Sequence, residues 1–140
     1  MMVMQLLGPN LHEIYEKQNK KFSDSCLYKI VYLMITILEY VHSKGIVYRD
    51  IKPENFLTRK YLEDYELYIA DFGLSTYFID QSSGKKFPKE ENQSLVGTTR
   101  YMSTNAHSRL RQAPRDDLES VAYVAAYFIS GKLPWQVIIF

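Results

Sequence analysis

An acid, an ammonium and an amide stand close together in Arg49-Asp50-Ile51-Lys52-Pro53-Glu54-Asn55, where Lys52 follows Asp50 by two residues and Asn55 follows it by five. Three such groups in one short loop suit phosphoryl transfer. Asp50 can accept the proton of a hydroxyl nucleophile, Lys52 can neutralise the phosphoryl group in motion, and the side-chain oxygen of Asn55 can ligate magnesium. A second oxygen ligand is at hand in Asp71, whose successors Phe72 and Gly73 place the carboxylate on a tight turn suited to a hard divalent cation. Alone, Asp-Phe-Gly is a common turn tripeptide, and an Asp-Lys-Asn loop can be a solvated surface turn. It is their joint occurrence, in this order, that singles out the chemistry.

These groups need elements to hold them. Val3-Met4-Gln5-Leu6-Leu7 is short and apolar, ends at Gly8-Pro9, and reads as a buried strand, followed by a short helix over about 11–17. Leu27, Ile30, Val31, Met34, Ile37, Leu38 and Val41 recur at three- and four-residue steps, the period of one helix face. Ser23 is its expected N-cap, Asp24 lies in its first turn, and Lys44 and Gly45 stand where a helix ends. Ile46-Val47-Tyr48 and Asn55-Phe56-Leu57-Thr58 read as brief extended segments, and the alternation of Tyr65, Leu67 and Ile69 predicts a strand running into Asp71. Residues 80–93 are polar and turn-rich, an expected exposed loop. Helical spacing returns over 117–130 through Leu118, Val121, Ala122, Ala125 and Phe128, with Gly131 to end it.

Composition sets the class. The chain has 140 residues, 46% of them hydrophobic and 24% charged, without low-complexity segments or internal repeats, which describes one globular unit. A formal net charge of +1 provides no global field for nucleic acid or an acidic membrane, so no nucleic-acid partner is expected. Cys26 is the sole cysteine, which excludes an internal disulfide and favours a reducing setting; Asn92-Gln93-Ser94 fits a glycosylation acceptor but has no secretory leader beside it. No apolar run approaches the roughly 20 residues of a membrane helix. The expectation is a soluble protein, intracellular, in cytoplasm or nucleus. His12, His42 and His107 lack metal-ligand spacing and read as structural or surface residues.

Further motifs carry a resemblance. Tyr48-Arg49-Asp50 stands where most protein kinases have His-Arg-Asp, and Lys52 with Pro53-Glu54-Asn55 looks like a Ser/Thr rather than a tyrosine kinase. Gly97-Thr98-Thr99-Arg100-Tyr101-Met102-Ser103-Thr104-Asn105 is similar to the casein kinase I form of the segment that carries Ala-Pro-Glu in other kinases. Leu6-Leu7-Gly8-Pro9-Asn10-Leu11, Arg115-Asp116-Asp117-Leu118-Glu119-Ser120 and Leu133-Pro134-Trp135-Gln136 resemble that family too. The resemblance implies an α+β fold, mainly the α-helical C-terminal lobe of a protein kinase. One partial domain over 1–140 would run from the hinge through the catalytic loop and activation segment to the central helix of that lobe.

It also implies roles. ATP and Mg2+ become the expected cofactors, with Asp50 and Lys52 catalytic and Asn55 and Asp71 on the metal. Met4 would be the gatekeeper beside adenine, the Leu7 backbone the hinge contact, Asn10 and Glu13 the ribose-side contacts, and Leu57 and Ala70 the apolar floor under the base. Thr98 would tie to the catalytic aspartate and lysine, and Asp117 would anchor the catalytic loop. Arg100 would hold an anion near the substrate groove, making acidic or already phosphorylated proteins the expected substrates, since a guanidinium fork binds phosphate with two hydrogen bonds. A surface salt bridge is the plainer use of Arg100.

The sequence also departs from the pattern. It starts at the expected hinge, so the N-terminal lobe with its glycine-rich loop, strand lysine and partner glutamate is expected to be absent, and the closing Val137-Ile138-Ile139-Phe140 is unlike the family. Ser108-Arg109-Leu110-Arg111 and Ala113-Pro114 differ from the Leu-Gly, Glu and Ser-Arg positions expected around Gln112. Two function classes follow: a Ser/Thr kinase represented by a truncated catalytic domain, its isolated chain inactive, or a non-catalytic kinase-like binding module.

Overall fold

The computed structural model describes residues 5–59 and 66–137. Four helices and four short strands make it up, in keeping with the expected mainly α-helical α+β composition. Helix α1, Leu11–Lys17, starts where Asn10 accepts the Glu13 N–H on its side-chain oxygen at 2.9 Å. Helix α2, Asp24–Ser43, starts at Ser23, whose Oγ accepts the Cys26 N–H at 3.2 Å, and is left behind at Gly45, with φ of 76°. Each cap satisfies an N–H that the first turn of a helix otherwise leaves open.

The strands are short and local. Strand β1, Ile46–Val47, pairs antiparallel with β4, Thr76–Tyr77; strand β2, Phe56–Thr58, pairs antiparallel with β3, Leu67–Ile69, matching Phe56 to Ile69 and Thr58 to Leu67. A 3-10 turn at Pro53–Asn55 leads into β2, and another at Thr99–Tyr101 precedes α3, Thr104–His107. Helix α4, Pro114–Ser130, ends at Gly131 in the left-handed conformation, φ 72°, the usual task of glycine at a helix C-terminus.

Helix α2 turns Ile30, Met34, Leu38 and Val41 inward, and Val121, Val124 and Phe128 of α4 belong to the same core. Burying each such side chain stabilises the fold by roughly 1.5–3 kcal/mol before ordering costs. Tyr15 joins this core to α1: its ring lies 5.2 Å from Phe22 and 4.9 Å from Phe128, and its hydroxyl donates to the Phe128 carbonyl at 3.3 Å.

Three expectations need correction. Residues 5–9 form no strand and Leu6 is 94% exposed; Gly8 and Pro9 instead follow the edge of β2 through Gly8 N–H to Thr58 C=O at 2.8 Å and Thr58 N–H to Pro9 C=O at 3.1 Å, while Val3 and Met4 lie outside the described residues. In α4 the expected inward residues Leu118 and Ala122 are exposed, and Asp116, Asp117 and Ser120 are buried with Val121, Val124, Tyr127 and Phe128. That face starts polar because its carboxylates bind groups distant in sequence. Finally, α2 is long and apolar enough, by length and composition, to cross a membrane. Its inner face packs on this core, with Ile30, Met34 and Leu38 fully buried.

Candidate active site

The site is built on Asp117. Its carboxylate is 1% exposed, and takes the backbone N–H of Tyr48 on Oδ2 and that of Arg49 on Oδ1, both at 2.8 Å, while His42 Nε2 lies 2.8 Å from Oδ2. Two oxygens thus hold the entrance of the 48–55 loop against α4 and the end of α2. Removing them strands the buried Tyr48 N–H and the part-buried Arg49 N–H, at about 1–3 kcal/mol for a buried donor and less for the other. Asp117→Ala is therefore expected to lower unfolding stability by about 3 kcal/mol, measured by urea titration. A loss no larger than that of a surface substitution, about 0.5 kcal/mol, would remove Asp117 from this role.

With its entrance fixed, the loop takes a shape that chain statistics disfavour. Arg49 sits at φ 71°, a left-handed conformation that is uncommon for a residue with a long side chain. It is held there by Asp117 at its N–H and by its own Nε, which donates to the Leu74 carbonyl at 2.7 Å. Gly97 comes so close that a Cβ built on it would collide with the Arg49 carbonyl oxygen, and its φ of 114° suits glycine alone. That approach brings the next residue, Thr98, onto the 48–55 loop.

Asp50 is where these arrangements meet. It is 5% exposed; Lys52 Nζ lies 2.8 Å from Oδ2, Asn55 Nδ2 donates to Oδ2 and to the Asp50 carbonyl at 3.0 Å each, and the Thr98 hydroxyl donates to Oδ1 at 2.7 Å. Burial pushes the Asp50 carboxyl up, but the hydrogen bonds from Lys52 and Thr98, the Lys52 charge and the Asn55 amide together outweigh it and hold the group below its ordinary range. The result is a buried anion with both oxygens oriented. An acceptor fixed in this way can take a proton from a hydroxyl brought to it.

Asp71 is exposed, at φ 60°, a conformation that aspartate tolerates because its oxygen can bond locally; here Oδ1 accepts the Gly73 N–H at 3.1 Å. The Ala70 N–H donates to the Asn55 carbonyl at 3.0 Å, so Asn55 and Asp71 occupy the same end of the β2–β3 pair. With the Asn55 amide donating to Asp50, its remaining side-chain atom is an oxygen. A carboxylate and an amide oxygen at one end of a hairpin are the hard donors that magnesium takes, so the residues present fit that ion. Around this end, Tyr48 donates its hydroxyl to the Ala70 carbonyl and its ring meets Phe72 edge-on at 5.3 Å. Burial drives the Tyr48 hydroxyl well above the ordinary phenol range, which keeps it a donor.

The positions expected along the nucleotide lie nearby, with plainer contacts. Leu57 and Ala70 are half-buried beside this hairpin, Leu7 is half-buried next to Gly8, and Asn10 bridges to Leu57 in an isolated β pair while it caps α1. Glu13 is exposed in the first turn of α1. Met4 lies outside the described residues.

Arg100 is apart from this cluster. Its guanidinium lies over the rings of Tyr101 and Tyr127 at 5.8 and 5.7 Å, it makes no ion pair among the described residues, and its carbonyl accepts the Trp135 indole N–H at 2.8 Å. It lines a cleft of about 590 Å3 with Thr99, Met102, Thr104, His107, Tyr123, Trp135 and Gln136. The salt bridge considered from sequence is therefore not formed among the described residues. Sequence reasoning gave no role to Tyr48 and Phe72 as ring supports, nor to Trp135 as the clamp on Arg100; an indole two residues from a helix-ending loop has no periodic partner by which to find it.

A family model of the protein kinase domain matches residues 1–138. That span takes in the Asp117-anchored loop, the Asp50 cluster and the Asp71 turn, and the chain belongs to the protein kinase domain family.

Proposed function

We propose that this chain is the catalytic-loop half of a Ser/Thr protein kinase of the casein kinase I type, transferring the γ-phosphoryl group of ATP to protein hydroxyls. The observation that carries the reading is the Asp50 carboxylate held between Lys52, Asn55 and Thr98. In the proposed reaction the hydroxyl oxygen bonds to the γ-phosphorus, the bond to the β-γ bridging oxygen breaks, and the hydroxyl proton passes to Asp50. Lys52, one bond from Asp50, offsets negative charge on the transferring oxygens. Asn55 and Asp71 would hold magnesium, which when bound neutralises the charge of the nucleotide phosphates. The Ser/Thr assignment rests on Lys52 within Asp50-Ile51-Lys52-Pro53-Glu54-Asn55, and the casein kinase I type on residues 97–105. An intracellular protein, in cytoplasm or nucleus, is part of the same proposal.

Residues 1–140 contain no glycine-rich phosphate loop. The reading therefore assigns that wall of the nucleotide site to a kinase N-terminal lobe, and the residues at Met4, Leu7, Asn10, Glu13, Leu57 and Ala70 to the opposite wall. Its test is transfer of labelled phosphate from ATP to an acidic serine peptide by the chain joined to such a lobe, with the 140-residue chain alone as the comparison. Transfer by the joined protein that is lost with Asp50→Ala supports the kinase. A joined protein that folds, binds peptide and transfers nothing would leave the alternative, a kinase-like binding module.

Arg100 gives the substrate class. Its guanidinium pairs with no carboxylate among the described residues and opens on a cleft beside the Thr98 segment, which suits an acidic or phosphorylated side chain in the substrate. Arg100→Ala should reduce kcat/KM about tenfold for peptides with an acidic or phosphorylated residue before the target serine, and change neutral peptides little. Equal losses on both peptide classes would make Arg100 a packing residue over Tyr101 and Tyr127.

A further inference from the structure

A second cavity, of about 290 Å3, lies between residues 86–89 and the start of α4. Lys86, Lys89, Arg111 and Arg115 line it beside Phe87 and Pro114, and no carboxylate is among its lining residues. Such a gathering is unexpected in a chain of formal net charge +1, because like charges repel most where walls of low dielectric bring them together. Two carboxylates stand behind it. Glu90 pairs with Arg111 Nη2, and Asp116 Oδ2 lies 3.9 Å from Arg115 Nε while it already serves Ala113 N–H at 2.7 Å. Lys86 and Lys89 make no ion pair among the described residues.

Arg111 is held ready for a further anion. Its guanidinium lies over the Phe87 ring at 4.9 Å, which fixes its plane, and its buried Nε–H has no acceptor among the described residues. The charge of the Arg111 group is felt as far as Arg49, whose guanidinium is pulled down first by burial and further by Arg111, against the opposing effect of Asp117.

We propose that this cavity docks a phosphorylated serine or threonine side chain of a partner protein, at a site separate from the Arg100 cleft. The charge balance selects phosphate: four cations less two carboxylates leave two positive charges, and a phosphomonoester carries about −1.5 to −2 near neutral pH. The cations converge on one small concavity instead of forming a stripe, which suits one compact dianion on a side chain and not a nucleic-acid backbone. Phe78, Phe87, Pro88 and Pro114 supply apolar walls for the stem of that side chain. Arg111 also stands where the sequence departs from the family pattern, so the site belongs to this chain and not to the resemblance.

The cavity is coupled to the 48–55 loop through hydrogen bonds along residues 90–98. Arg111 N–H donates to the Glu90 carbonyl at 2.8 Å, Gln93 N–H to the Arg109 carbonyl at 2.9 Å, and Gln112 Nε2 to the Val96 carbonyl at 3.1 Å. Two residues beyond Val96 is Thr98, on Asp50. A phosphate bridging Lys86 and Lys89 to Arg111 and Arg115 would therefore clamp the segment that carries Thr98.

The inference stands without the kinase reading, because it is read by binding at equilibrium. A fluorescent peptide with one phosphoserine, its unphosphorylated twin, inorganic phosphate and a single-stranded RNA of similar length would be titrated against the full 140-residue chain. The phosphopeptide should bind at least about tenfold more tightly than its twin, and the joint Lys86→Ala and Lys89→Ala variant, or Arg111→Gln, should weaken it about tenfold. Both lysines are exposed, so their joint variant should keep the parent unfolding temperature. In the Arg100→Ala background, where the other cleft is disabled, the loss caused by Arg111→Gln should persist, because the two clefts are separate sites. Equal binding of the two peptides, no further loss on adding Arg111→Gln to Arg100→Ala, tighter binding of the RNA, or displacement by inorganic phosphate at equimolar concentration would each overturn the proposal.

Discussion

Asp50→Ala, in the chain joined to a kinase N-terminal lobe, is expected to lower turnover by about 10²- to 10⁴-fold and to change magnesium-ATP affinity by no more than about twofold. The split follows from what Asp50 touches. Its oxygens bind Lys52, Asn55 and Thr98, groups that orient it toward an entering hydroxyl, whereas the oxygens suited to magnesium belong to Asn55 and Asp71. The proton acceptor acts in the chemical step, so its loss falls on kcat and leaves ground-state binding in place. Single-turnover transfer and nucleotide titration on the same protein would separate the two. A variant with normal turnover, or one that loses nucleotide affinity and turnover in equal measure, would contradict the assignment.

The same carboxylate leaves a signature in stability. Its folded pKa is held below the unfolded value of about 3.9, so the stability it contributes is present above that value and disappears as pH falls through the lower folded value. The difference in unfolding midpoint between the parent chain and Asp50→Asn should thus be constant from neutral pH to about pH 5 and shrink below about pH 4. A difference that grew in acid would reverse the sign and mean that burial prevails over Lys52 and Thr98.

Local signals carried much of this architecture. The period of α2, its cap at Ser23 and its end at Gly45 can be read from sequence because capping and face periodicity act within one turn, and α1 over 11–17 has the same origin. The gathering of Asp50, Lys52 and Asn55 was legible because they are close in the chain. What escaped depends on distant partners. Leu118 and Ala122 gave α4 an apolar period on the wrong face, since the inward positions Asp116 and Asp117 are satisfied by Ser103, Asn105, Tyr48 and Arg49. Apolar counting penalises such carboxylates, although the hydrogen bonds make their burial tolerable. Residues 5–7, the described part of the strand expected over 3–7, looked like a strand for the converse reason: Leu6 and Leu7 are apolar, but the backbone pairing of Gly8 and Pro9 to Thr58 decides the path, and Leu6 is left in solvent. The basic cavity was invisible for the same reason, because Lys86 and Arg111 become neighbours only when residues 90 and 93 bond to 111 and 109.

Asp71→Asn is expected to remove the magnesium-dependent part of nucleotide binding in the chain joined to an N-terminal lobe, weakening magnesium-ATP by about 100-fold or more, beyond the 10- to 100-fold that loss of a supporting contact costs. Asparagine tests charge and little else. It tolerates the left-handed backbone at φ 60° at least as well as aspartate, and its side-chain oxygen can keep the 3.1 Å bond from Gly73 N–H. Asp71 is exposed, so no buried partner is stranded by the change. The unfolding temperature should therefore match the parent, and ATP without magnesium should bind both proteins alike. Only the hard anionic oxygen proposed to hold the cation is gone, and an amide oxygen is a weaker ligand for magnesium than a carboxylate. Calorimetric titration with ATP, with and without magnesium, measures both parts on one sample. Unchanged affinity with unchanged magnesium dependence would reduce Asp71 to a turn residue, and leave Asn55 without the partner that makes this end of the β2–β3 pair a metal site.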